Sequence, residues 1–168
     1  MAAQRGYVDT RHGQMHYRES GQGSPLLLLH ATPRSSRVYA KLQPLLSDAF
    51  RVIAPDTLGF GNSDPLPAAV TMDMLAESTA DLIAALGLGK VAVFGLHTGN
   101  KVGTALAAAR PDLVSHFICC GMTHSIVVER DKRDGAIKDI VDKYFAKESG
   151  APDGSHLLRG WARTYKAL

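Results

Sequence analysis

The residues Lys90–Arg110, KVAVFGLHTGNKVGTALAAAR, decide how this chain is read. Val91, Ala92, Val93 and Phe94 form a short continuous apolar run, the pattern of a strand buried on both faces. After Gly95 the period changes. Val102, Ala105, Leu106 and Ala109 recur at three- and four-residue spacing, which predicts an amphipathic helix. Leu96, His97 and Thr98 alone separate Gly95 from Gly99, so the chain must turn from strand to helix within that span. Glycine tolerates both the bend and the close backbone approach around it.

A strand, a G-x-nucleophile-x-G turn and a helix together make a nucleophile elbow. The central side chain stands at the strand's carboxyl end, and the helix N-terminus aims its free N–H groups at whatever sits there. Here the central residue is His97, where serine, aspartate or cysteine is usual. An unprotonated imidazole can attack an activated carbonyl or act as a base toward water, so His97 is read as catalytic. A carboxylate nucleophile is excluded at this position, and with it the covalent-ester chemistry that a carboxylate supports.

The 168 residues suffice for one domain with a real core. A hydrophobic content of 45% and a charged content of 21% are ordinary for a globular chain. The net charge of +3 is mild. The densest basic run, Arg130, Lys132 and Arg133, is interrupted by Asp131 and Asp134 and reads as a solvated helix face, so no nucleic-acid partner is expected. No apolar segment reaches ~18 residues, so no membrane span is expected. The N-terminal MAAQRGYVD lacks the apolar core of a signal peptide. Cys119 and Cys120 are adjacent; on a strand they face opposite sides, which argues against a mutual disulfide. A reducing, cytoplasmic setting is the expectation.

Outward from the elbow, Tyr7–Arg11 and Met15–Arg18 alternate polar and apolar residues around His12-Gly13 and predict an antiparallel hairpin at a sheet edge. Pro25–His30 predicts a buried strand. Arg34–Leu46 predicts a helix capped by Ser35 or Ser36, with Val38, Tyr39, Leu42 and Leu45 on one face and Pro44 kinking or ending it early. Phe50–Pro55 predicts a buried strand, and Asp56–Pro65 a turn-rich loop. Thr71 caps a helix running to Leu86, which Gly87 ends. Leu113–Met122 is a further apolar strand. Buried strands alternating with helices give a mostly parallel sheet, with its site beyond the strands' carboxyl ends. From Ser125 the pattern becomes helical: Asp134–Lys147 and Ser155–Leu168 are amphipathic, separated by Gly150–Gly154.

Three motifs in this order resemble the N-terminal part of the α/β-hydrolase fold family: LLLLHATPRSS (Leu26–Ser36), APDTLGFGNSDP (Ala54–Pro65) and GLHTG (Gly95–Gly99). The resemblance is nearest to the subgroup of haloalkane dehalogenases, epoxide hydrolases and small esterases, and runs from Tyr7 to His124. It implies a three-layer α/β/α architecture: an α/β-hydrolase core of six strands at 1–124, incomplete, and the start of a helical cap at 125–168. The chain departs from the family pattern at His30-Ala31, where His-Gly is usual, and at His97. In the family, the last strands, a late catalytic histidine and usually the acid follow the cap. The resemblance therefore implies a missing C-terminal part, or a partner chain, covering the sixth strand.

By the same resemblance the backbone N–H groups of Thr32 and Thr98 form an oxyanion hole. Asp56 is expected to brace the glycine-rich loop after it. His30, His97 and His124 end neighbouring strands. The site reading takes His30 and His124 as lining the substrate pocket, with no metal bound. Tyr39 and Trp161 are further candidates for a substrate cavity beneath the cap, and helical packing is the plainer role for both. His12, His16, His116 and His156 are read as surface or edge residues. The function these parts predict is hydrolysis of a small ester- or acyl-type molecule without a cofactor. A lyase, an isomerase or a cofactor-free oxygenase using His97 as base, and a ligand-binding protein on an inactive scaffold, are the alternatives.

Overall fold

The computed structural model describes residues 3–66, 70–121, 132, 135, 138 and 151–159. The chain divides into two compact units, Met1–Ile126 and Val127–Leu168. Most of the sequence expected to form the cap lies outside the described residues. Within it, residues 155–159 are helical, and the Asp153 carboxylate accepts the Ser155 N–H at 3.0 Å.

The first unit is built on six strands: β1 (Gln4–Thr10), β2 (Gly13–Ser20), β3 (Ser24–Leu29), β4 (Phe50–Pro55), β5 (Val91–Leu96) and β6 (Val114–Cys120). They form one sheet in the order β1-β2-β4-β3-β5-β6. The β1–β2 and β2–β4 pairs are antiparallel, and the pairs from β4 through β6 are parallel. The expected edge hairpin, the strand at Phe50–Pro55 and the mostly parallel sheet are all present.

Helices α2 (Met72–Ala85) and α3 (Thr98–Ala109) cover one face. Thr71 caps α2 as expected, its hydroxyl accepting the Met74 N–H at 3.2 Å. Leu75, Leu82 and Ile83 of α2 and Val102 and Leu106 of α3 pack with Leu27, Leu29, Ile53, Val91 and Val93 in one core. A smaller core on the other face joins Leu26, Leu28, Val52 and Ala54 to Tyr39.

The layer carrying Tyr39 differs from the single helix expected at Arg34–Leu46. It is a 3₁₀ turn (Ser36–Tyr39) capped by Ser35, then a one-turn helix α1 (Gln43–Leu46) with proline in its first turn. Pro44 brings no N–H and crowds the preceding turn, so a continuous helix cannot run through it. Tyr39 is buried, whereas Val38 and Leu45 face outward, so the expected common face does not exist.

Two strands are less enclosed than their apolar runs predict. On β5, Val91 and Val93 are buried, while Ala92 and Phe94 on the opposite face are only half-buried. On β6, Ile118, Cys119 and Cys120 are exposed. Among the described residues, no strand pairs with the outer edge of β6. Both cysteines are free thiols.

Candidate active site

Strand β5 ends at Leu96 and α3 begins at Thr98, so His97 alone makes the corner. Its backbone sits at φ 50° and ψ −103°, and among the described residues it is the one non-glycine residue with positive φ. That region is costly for an L-residue and persists where the surroundings over-determine it. Here they do. The His97 N–H donates to the Cys120 carbonyl at 3.1 Å, and its carbonyl accepts the Asn100 N–H at 3.0 Å.

The two flanking glycines leave no room for a side chain. A Cβ on Gly95 would lie 2.7 Å from Asn100 Oδ1 and 2.8 Å from Asn100 N, and one on Gly99 would collide with the Leu29 carbonyl. The turn therefore packs against the carboxyl end of β3. The imidazole at its apex is exposed. Among the described residues, nothing hydrogen-bonds to that ring.

Thr32 and Thr98 are brought together across this corner. Their hydroxyl oxygens are 2.8 Å apart, and the Thr32 N–H points to Thr98 Oγ1 at 3.4 Å. Thr98 is the first residue of α3, where N–H groups have no partner inside the helix.

His30, expected to line the pocket, is fully buried. Its Nε2 accepts the Thr57 N–H at 2.9 Å, which leaves the proton on Nδ1 to bond the Ala31 carbonyl at 3.0 Å. Burial holds its pKa below the ordinary histidine value, although the Ala31 carbonyl and the Asp56 charge favour protonation. Both ring nitrogens thus bind the protein's own main chain, leaving none for a substrate or a metal. Tyr39 is buried as well, its hydroxyl donating to the Leu29 carbonyl at 2.8 Å and its ring meeting Phe94 edge-on. Burial raises the Tyr39 pKa. His124 and Trp161 lie outside the described residues.

Asp56 does brace its loop. Its carboxylate accepts the Ser36 N–H at 2.6 Å, the Asn62 N–H at 2.9 Å and the His16 Nδ1–H at 2.9 Å. Burial pushes this carboxyl up, and the hydrogen bonds from Asn62, Ser36 and His16 outweigh it, so the net shift is downward. A Cβ on Gly61 would collide with the same carboxylate. His16 is not the surface residue the sequence suggested: it is buried on β2, because β2 has a strand on either side.

Two residues escaped the sequence reading. Asn100 is fully buried and joins α3 to the end of β6: it donates to the Cys120 carbonyl at 2.9 Å and accepts the Cys120 N–H at 3.2 Å. A polar residue three positions before Gly103, and so on the same face of the helix, was the available signal. Gly121, just beyond β6, faces the His97 ring; nothing in its sequence context marks it.

A description of the α/β hydrolase fold family matches residues 24–165. The chain belongs to the α/β-hydrolase fold family. It is 31% identical over 145 residues to the soluble epoxide hydrolase of Corynebacterium sp. (strain C12), covering 86% of this chain and 50% of that protein. It is 35% identical over 109 residues to haloalkane dehalogenase 2 of Mycobacterium tuberculosis (strain ATCC 25618 / H37Rv), covering 64% of this chain and 38% of the relative. Among solved structures, a thermophilic esterase from Thermogutta terrifontis superposes with a TM-score of 0.71 at 28% identity, over 86% of this chain and 54% of the esterase. The chain spans about half or less of the length of these relatives. Membership of this family accounts for the mostly parallel sheet flanked by helices. Among the described residues, no helix is long and apolar enough to cross a membrane.

Proposed function

We propose that this chain carries the nucleophile elbow and oxyanion hole of a hydrolase acting on a small ester- or acyl-type molecule, with His97 as its reactive side chain. One observation carries the reading: an exposed imidazole stands at the carboxyl end of β5, at a strained φ of 50°, beside Thr32 and the first residue of α3. The N–H groups of Thr32 and Thr98 hold the oxygen that becomes negative as the carbonyl is attacked. Each such donor is worth ~3 kcal/mol in the transition state. As nucleophile, an imidazole nitrogen bonds the carbonyl carbon, the bond to the leaving alcohol breaks and the alcohol takes up a proton. Water then cleaves the acyl–imidazole bond and restores the ring. As general base, the ring instead takes a proton from the attacking water; both routes give the same acid and alcohol.

The same reading has the outer edge of β6 covered, by further residues of the polypeptide or by a second chain. The exposure of Ile118, Cys119 and Cys120 supports this, since an open edge invites pairing. The free thiols suit a reducing, cytoplasmic setting.

The test is release of nitrophenolate from activated nitrophenyl esters. The wild-type protein is expected to turn over and His97→Ala to lose turnover while keeping its circular dichroism. Turnover retained by His97→Ala, or none by the wild type, overturns the proposal. A ligand-binding role on the same scaffold is favoured by one observation: among the described residues, no side chain orients the His97 ring, as acid–base chemistry requires. That role requires a small molecule retained through purification with no product in its mass spectrum.

A further inference from the structure

Gly121 and His97 meet across the corner. A Cβ built on Gly121 would lie 2.9 Å from Nε2 and 3.0 Å from Cδ2 of the His97 ring. Side-chain carbons do not approach that closely, so the imidazole occupies the space a residue-121 side chain would need. The main chain on both sides is fixed, so the ring yields by turning about its own side-chain torsions and not by any shift of the corner. The His97 N–H is held by the Cys120 carbonyl and the His97 carbonyl by the Asn100 N–H. The Gly121 side is held by the same asparagine. Asn100 Nδ2 donates to the Cys120 carbonyl at 2.9 Å and reaches the Gly121 carbonyl at 3.4 Å. Asn100 therefore holds both sides: its backbone N–H bonds the residue that bears the imidazole, and its side-chain amide bonds the wall the imidazole rests against.

We infer that Gly121 is a positioning residue for His97: its bare Cα, clamped by Asn100, lets the imidazole lie against the end of β6 and so sets where the ring points. A side chain at 121 turns the ring away. The coupling is specific to a long side chain at 97, because a shorter one would not reach Gly121. The inference rests on the proposed role of His97 only where turnover is the readout.

The structure offers a matched control. Gly121 has φ +63° and Gly87 has φ +59°, but a Cβ on Gly87 meets nothing within 4 Å. Gly121→Ala and Gly87→Ala therefore carry the same left-handed strain, and Gly121→Ala alone crowds the imidazole. The first readout is the His97 ring C–H resonances, assigned by their loss in His97→Ala. Gly121→Ala is expected to shift them and Gly87→Ala to leave them in place. The second readout is nitrophenyl-ester turnover, with kcat expected to fall at least tenfold in Gly121→Ala and to stay within twofold in Gly87→Ala. The third is Tm in a His97→Ala background, where Gly121→Ala is expected to cost no more than Gly87→Ala because the obstacle is gone.

Unmoved His97 resonances in Gly121→Ala, or equal movement in Gly87→Ala, overturn the inference. If Gly121→Ala does not fold, its recovery in the His97→Ala background supports the inference, and failure in both backgrounds overturns it. A wild-type protein inert toward esters would refute the proposed chemistry and leave the resonances to judge Gly121.

Discussion

The side-chain oxygens of Thr32 and Thr98 lie 2.8 Å apart and tie the loop after β3 to the first residue of α3. Two hydroxyls in contact share one proton, and the other proton stays available to a third group. Thr98 Oγ1 also receives the Thr32 N–H, at the long distance of 3.4 Å. In the proposed oxyanion hole, a substrate oxygen would compete with a weak internal bond and meet a spare hydroxyl proton.

Thr98→Val keeps the volume and removes the hydroxyl. It is expected to cost about 1 kcal/mol in urea unfolding, the net worth of one hydrogen bond. Thr32→Val should cost about the same, and the double variant scarcely more than either single one. Additive losses would show that the two hydroxyls act separately.

Asp56→Ala strips the partner from the His16 ring and from the Ser36 and Asn62 N–H groups, all within 2.9 Å of the carboxylate. Orphaning buried donors around one site is expected to cost about 3 kcal/mol, measured by chemical denaturation. A loss below about 1 kcal/mol would mean that water replaces the carboxylate with little penalty.

Acid should destabilise the first unit in two steps. The His30 pKa is depressed in the fold, chiefly by burial. The unfolded chain therefore gains a proton as pH falls below about 6.5 while the folded chain resists it, and stability declines from there toward the folded value. The Asp56 pKa is depressed too. Its contribution is present above about pH 4 and is lost as pH falls through its folded value. Thermal melts across pH 7 to 3 should show both declines. His30→Gln should remove the upper one, and a profile flat to pH 4 in the wild type would refute it.

Replacing a helical glycine by alanine ordinarily stabilises a helix by up to about 1 kcal/mol. At Gly99 the sign is expected to reverse, because the new methyl would collide with the Leu29 carbonyl, a main-chain atom that cannot rotate aside. Overpacking of this kind costs about 1–3 kcal/mol. The Tm of Gly99→Ala should fall; a rise would mean that α3 is free to lift off β3.

Much of the fold was legible because it is local. The strand at Phe50–Pro55 and the cap at Thr71 follow from residues adjacent in sequence. The corner at His97 was legible from its flanking glycines. The segment 34–46 was not, since Pro44 broke a helix that the apolar spacing favoured. His16 and Asp56 were separated by forty positions, so no local pattern could pair them. His30 has the residue type of a ligand, but the Thr57 N–H takes its lone pair, and that bond depends on how two strands align. The open side of β6 was expected from the family resemblance and not from its apolar run, which records what a strand needs covered, not what covers it.

The tightness around Gly95 and Gly99 has a consequence for change over time. The corner is shaped by two residues that lack side chains and by main-chain bonds to Cys120 and Asn100. The group at 97 takes no part in making it. In the proposed site that position would serve as an interchangeable socket, in which one reagent could be exchanged for another without redrawing the scaffold, provided the neighbour at 121 stayed small enough to admit it.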